Sequence, residues 1–149
     1  MELRKLCTLD TVCCGRHESV QGAALLMRRH HVGDIIVVDE PDGERSPIGI
    51  VTDRDIVVSV IALGLDPVGL EVGDIMSDDL LVAGEHDDPY ATIERMRLRG
   101  IRRVPVVGEG GCLAGIVSAD DLLGFLAEEM ETLARISPHQ QSQERRARQ

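Results

Sequence analysis

Apolar and polar positions follow one order twice along the chain. A short apolar run at 11–14 reads as a strand, and so does 80–83. Each run precedes a segment with apolar residues at helical spacing, 19–30 and 88–99. Ala23, Leu26 and Met27 face one side of the first, with Ile93, Met96 and Arg97 at comparable places in the second. Ser19 and Asp88 stand where a side-chain oxygen can accept from the free N–H groups that open a helix. Two β-branched strands follow in each half, 34–38 with 48–52 and 103–107 with 113–117, joined by Gly-containing turns. A second helix then closes each half, 53–62 and 119–133. The pattern predicts β-α-β-β-α, written twice.

The two halves also align residue by residue. At an offset of 69 positions, Leu6 meets Ile75, Asp10 meets Asp79, Gly15 meets Gly84, His17 meets His86 and Met27 meets Met96, and "IIVV" (35–38) meets "VPVV" (104–107). The first copy has the longer turn, "EPDGERSP", so the register shifts by three before "GIVTDRDI" (49–56) meets "GIVSADDL" (115–122). The expected organisation is a first repeat over 1–62, a linker "LGLDPVGLE" over 63–71 and a second repeat over 72–133. From Ser137 onward no apolar face remains, and 134–149 is read as a disordered tail. One repeat of about sixty residues is marginal for stability on its own. Two repeats packed sheet to sheet about a pseudo-twofold axis would leave clefts between them, within the α+β class.

Composition narrows the ligand. Of 149 residues 43% are hydrophobic, yet Tyr90 and Phe125 are the only aromatics, so aliphatic side chains must form both the core and the walls of any cleft. The formal charge of −10, together with the missing aromatic platforms, argues against nucleic acid and membrane surfaces as partners. No stretch approaches the roughly 18 apolar residues of a membrane span, and "MELRKLCTLD" lacks the apolar region of a signal peptide. A cytoplasmic location is expected, with the four cysteines reduced.

The repeated Thr/Ser-x-x-Asp sits where a strand runs into a helix. Thr52 with Asp55 and Ser118 with Asp121 fit a capping box, which needs no ligand. They also fit a ligand site, because a carboxylate can accept from both hydroxyls of a cis-diol. Repeated β-α-β-β-α units ending in G-h-h-[ST]-x-x-D, with "IGIVTDRDI" and "AGIVSADDL" each following "VV" strands and "VGDIMSDDLLV" opening the second copy, resemble a tandem pair of CBS domains, a Bateman module. The resemblance covers 1 to about 133. It implies that Asp55 and Asp121, with Thr52 and Ser118, hold the ribose of an adenosine ligand. It places the base against Thr11, Val12 and Cys13 or Leu80, Leu81 and Val82. Arg102 and Arg103 match positions that face phosphates, whereas the first copy has Gly33 and Asp34 there, so the two clefts are expected to be unequal. A solvated arginine pair is the alternative, and Arg54 is a weaker candidate that could simply pair with Asp55.

AMP, ADP or ATP is therefore the expected ligand, with S-adenosylmethionine and NAD-type ligands open. The expected role is that of a sensor, paired as a homodimer through its helices and signalling to an effector protein. Two readings stand beside it: a ligand-free interaction module, and a metal- or redox-responsive protein. Cys7, Cys13, Cys14 and Cys112 with the histidines lack C-x-x-C or H-x-x-x-H spacing, so no metal site is assigned and Cys13 or Cys14 is read as a small packing residue. His30–His31 is read as a helix C-terminal cap and the glycines as turn residues. No nucleophile–base pair, P-loop or Rossmann pattern is present, so an enzyme is not expected.

Overall fold

The computed structural model describes residues 1–40 and 43–148; Pro41 and Asp42 of the long first turn lie outside the described residues. The first repeat runs β1 (Cys13–Gly15), α1 (Val20–His30), β2 (Asp34–Asp39), β3 (Ser46–Thr52) and α2 (Asp53–Ile56), which continues through a π-helical turn, Val57–Ile61. A short helix α3 (Val72–Ile75) leads into β4 (Ala83–Gly84), α4 (Pro89–Arg99), β5 (Arg103–Val107), β6 (Leu113–Ser118) and α5 (Ala119–Ala134). The expected order is present in both halves. Each sheet has three strands, the first two parallel and the last two antiparallel. The final segment, expected to be disordered, is instead a helix, α6 (Ile136–Ala147); none of its residues is buried, in keeping with its lack of an apolar face.

The helix starts follow the sequence. Ser19 Oγ accepts from the Gly22 N–H at 2.9 Å, and Asp88 Oδ2 accepts from the Ala91 N–H at 2.9 Å. Both first helices end on a left-handed residue, but of different kinds: Gly100 (φ 64°) in the second repeat and His31 (φ 54°) in the first. A Cβ is unfavourable there and glycine is not. His31 therefore serves as a cap through its backbone. We expect His31→Gly to stabilise the protein by roughly 0.5–1 kcal/mol, the gain being reduced by glycine's greater freedom when unfolded. A shift of the urea midpoint to lower concentration would instead assign the imidazole a stabilising role.

Two aliphatic cores form, one per repeat. The first contains Ala23, Met27, Ile35, Val37, Val51, Ile56 and Val60; the second contains Ala83, Met96, Val104, Val106, Val117 and Leu122. Arg97, placed by periodicity beside Met96, is exposed and pairs with Glu94. Cys14 is buried in the first core, and burial pushes its thiol up to about 11, as suits a packing residue.

Each core is completed by a residue from the other repeat. Leu3, fully buried, belongs to the second core, and its pseudo-symmetric counterpart Val72, also fully buried, belongs to the first. The backbone shows the same exchange. Leu3 and Arg4 N–H groups donate to the carbonyls of Asp87 and Glu85, while Val72 and Gly73 donate to those of Glu18 and Arg16. Beyond these contacts Thr8 bridges to Ile116 on β6, and Ser77 bridges to Ile50 on β3. The leader of each repeat thus lies along the far edge of the opposite sheet.

This exchange explains two glycines that are not turn residues. Gly49 and Gly115, which open the repeated motif, lie inside β3 and β6. A Cβ on Gly115 would come within 2.7 Å of the Thr8 carbonyl oxygen, and one on Gly49 within 2.9 Å of the Ser77 carbonyl oxygen. The glycines are where the crossing leaders press against the strands.

Candidate functional site

Two concavities lie at equivalent places between the repeats. The smaller, about 240 Å³, is walled by the first leader and strand approach (Thr8, Asp10, Thr11, Val12), by Val32, Asp34 and Ile36, and by Ile116, Ser118, Asp120 and Asp121 of the second repeat. The larger, about 440 Å³, is walled by Ser77, Asp79, Leu80 and Leu81, by Gly100, Ile101, Arg102 and Arg103, and by Ile50, Thr52, Asp53 and Arg54 of the first repeat. Most positions in one wall have their pseudo-twofold partner in the other. Arg103 reaches both clefts. Their apolar surface is Val and Ile in one and Ile and Leu in the other, while the two aromatics pair edge to face elsewhere (Tyr90–Phe125, centroids 5.7 Å apart).

The motif residues form capping boxes in both copies. The Thr52 N–H donates to Asp55 Oδ2 at 2.9 Å, and the Asp55 N–H donates to Thr52 Oγ1 at 3.1 Å. The Ser118 N–H and Oγ–H both donate to Asp121 Oδ2 at 2.8 Å, and the Asp121 N–H donates to Ser118 Oγ at 3.1 Å. Capping occupies Oδ2 of each carboxylate. Oδ1 forms no hydrogen bond among the described residues, and both aspartates are only partly buried. Capping and ligand binding are therefore compatible in one side chain.

The copies nevertheless differ. Asp121, Ser118, Thr11 and Val12 face the smaller cleft, and Thr52, Leu80, Leu81 and Arg102 face the larger. Asp55 does not line the larger cleft; Asp53 and Arg54 do. Cys13, expected beside the base, lines a separate depression with Arg16, His17 and Arg45 at the other end of the first sheet, because β1 runs away from the cleft. Val82 lines neither cleft, and its carbonyl accepts from Arg95 Nη2 at 2.7 Å. Strand periodicity shows which face a residue takes, but not where along the strand the cleft ends.

The arginines are engaged. Arg103 Nε lies 2.8 Å from Asp34 Oδ1, and Arg102 Nη2 lies 3.4 Å from Asp120 Oδ1. Asp34 is the pseudo-symmetric counterpart of Arg103, so the ion pair joins equivalent positions of the two repeats. Burial raises the Asp34 carboxyl above its ordinary value, Arg103 opposes that shift and Asp53 adds to it. Arg54 makes no ion pair among the described residues, with Asp55 or otherwise. Sequence reasoning set Asp34 against the phosphate-facing arginines but did not foresee its ion pair with Arg103, and it missed Asp120, the counterpart of Arg54, in the smaller cleft.

Comparison with known proteins places the chain. The CBS-domain family matches residues 3–61 and 72–128. The protein MK0525 of Methanopyrus kandleri is 35% identical over 114 residues, which span 76% of this chain and 57% of that protein. Hypoxic response protein 1 of Mycobacterium tuberculosis is 32% identical over 125 residues, 84% of this chain and 85% of that protein. A crystal structure of Hypoxic Response Protein I, which has two coordinated zinc ions, is similar with a TM-score of 0.72 and 30% identity, covering 83% of this chain and 97% of that one. The CBS domain protein PAE2072 from Pyrobaculum aerophilum, complexed with AMP, gives a TM-score of 0.75 at 24% identity, covering 86% and 99%. Among the described residues here, no three His, Cys, Asp or Glu side chains converge to hold a metal ion, and no helix is long and apolar enough to cross a membrane.

Proposed function

The chain belongs to the CBS-domain family, and we propose that it is a regulatory module that binds adenosine-containing ligands in the two clefts between its repeats. The observation that carries this reading is Asp121. It lies in a cleft with aliphatic walls, with one carboxylate oxygen committed to Ser118 and the other without a bond among the described residues. A ribose diol can donate to such a carboxylate, and the backbone groups of Thr11 and Val12 other than the Val12 carbonyl, which accepts from the Ile36 N–H at 3.1 Å, can read the edge of a base lying between Val and Ile side chains. AMP, ADP and ATP are the phosphorylated candidates, and the AMP complex of PAE2072 supports them. S-adenosylmethionine is a further one. No catalytic role is assigned.

Phosphate belongs to the larger cleft, where Arg54, Arg102 and Arg103 converge. A second copy of the chain covers the helices in this reading. Val57, Val58 and Ile61 on the closing helix of the first repeat and Leu123, Met130 and Leu133 on that of the second are exposed, and a self-complementary interface uses such a face on both partners. Occupied and empty clefts then favour different arrangements of the pair, which an effector protein reads.

Thermal-shift measurements with adenosine, AMP, ADP, ATP and S-adenosylmethionine test the ligand class, since a bound ligand raises the midpoint by mass action. A flat series would favour a ligand-free interaction module. Calorimetric titration with adenosine tests the diol contact. Asp121→Ala is expected to weaken binding at the smaller cleft about tenfold, the loss of one charge-assisted bond. An unchanged titration would remove Asp121 from the site.

A further inference from the structure

Charge separates the two clefts at two equivalent positions: where the larger has Arg103, the smaller has Asp34, and where it has Arg54, the smaller has Asp120. Arg102 adds a further cation to the larger cleft, which its uncharged counterpart Gly33 also lines. The larger wall accordingly has three arginines and two aspartates, and the smaller has four aspartates and one arginine. That one arginine, Arg103, is already paired with Asp34. The Asp34 side chain is only 13% exposed, so its charge is poorly screened by water inside the cleft.

We infer that Asp34 is a specificity residue: by holding Arg103 and presenting its own carboxylate, it makes the smaller cleft a site for nucleosides without a phosphate and leaves phosphorylated ligands to the larger. This rests on the reading of both clefts as nucleoside sites and adds what each selects. A phosphate entering the smaller cleft would meet Asp34, Asp120 and Asp121 with no unpaired cation among the described residues to receive it. Like charges brought together in a partly enclosed site exclude one another. An uncharged ribose hydroxyl meets no such repulsion and has its acceptor in Asp121. The cleft that repels a phosphate therefore still suits a diol.

The raised proton affinity of Asp34 agrees with this arrangement, since burial and the neighbouring Asp53 both work against its charge and Arg103 sustains it. Removing the carboxylate frees Arg103 at the boundary of the two clefts, where its Nη groups form no hydrogen bond among the described residues.

Calorimetric titration of wild type, Asp34→Asn and Asp120→Asn with adenosine and with AMP tests the inference. Wild type is expected to bind two adenosines but only one AMP per chain, and Asp34→Asn to take up a second AMP while still binding two adenosines. Asp120→Asn removes an exposed charge without touching the core, and is expected to admit AMP to the smaller cleft severalfold more tightly than wild type does. Two AMP sites of equal affinity in wild type would overturn the inference. So would a single AMP site in Asp34→Asn that retains two adenosine sites, or no change in Asp120→Asn should Asp34→Asn fail to fold. Absence of adenosine binding to wild type would instead overturn the reading of the clefts, and this inference with it.

Discussion

Replacing Leu3 by Ala is expected to cost about 2–4 kcal/mol, although the residue lies third from the start of the chain and outside the half that it stabilises. Chain ends are ordinarily where substitutions are tolerated. Leu3 is an exception because it is fully buried among Ala83, Met96, Val104, Val106, Val117 and Leu122. Truncating it removes an isopropyl group from the smaller of the two cores, and the flanking backbone is held by hydrogen bonds to Asp87 and Glu85, so the cavity cannot close freely. Denaturant unfolding followed by circular dichroism gives the size of the loss. Hydrogen exchange gives its location, which should be amides of β5 and β6 more than those of β2 and β3. A change below about 0.5 kcal/mol, the range of an ordinary surface position, would contradict the exchanged leader.

Arg102→Ala is expected to weaken AMP binding by about 10- to 100-fold while leaving adenosine binding nearly unchanged. Arg102 lines the larger cleft, its guanidinium is mostly exposed, and its ion pair with Asp120 is long at 3.4 Å, so little is lost when a phosphate takes the place of the carboxylate. A fork of N–H donors against phosphate oxygens is the stronger pairing. The paired titration separates this role from a structural one, because damage to the fold would weaken both ligands together. Steeper weakening of AMP than of adenosine with added salt is expected in wild type and should diminish in the variant. Equal losses for both ligands would remove Arg102 from phosphate recognition.

The fold was largely legible because its apolar periodicity is clean and occurs twice. Strand and helix order, both N-caps and the aliphatic cores could be read from the residues, and the motif in context resembled the family that the comparisons then showed. What remained hidden is long-range. Nothing in the local pattern around Leu3 or Val72 says that each completes the opposite core, and Gly49 and Gly115 looked like turn residues because the backbone that presses on them comes from elsewhere. The site was legible in part. Thr11, Val12, Ser118, Asp121, Thr52, Leu81, Arg102 and Arg103 line the clefts, whereas Cys13, Val82 and Asp55 do not. The misplaced residues lie one step along a strand or one turn along a helix from those that do. An alternating pattern determines the face of a strand and is silent about its length. The ion pair of Asp34 with Arg103 was out of reach for another reason: alignment makes them equivalent positions, and equivalence does not say that the two side chains meet across the axis.

The crossing leaders also say something about ancestry and assembly. A solitary copy of this unit would expose the gap that Leu3 or Val72 now fills, and could close it only by receiving that segment from another molecule. The duplicated gene product is in that sense a domain-swapped dimer made covalent by the stretch between residues 63 and 71. Severing that stretch should leave two fragments that stay clasped.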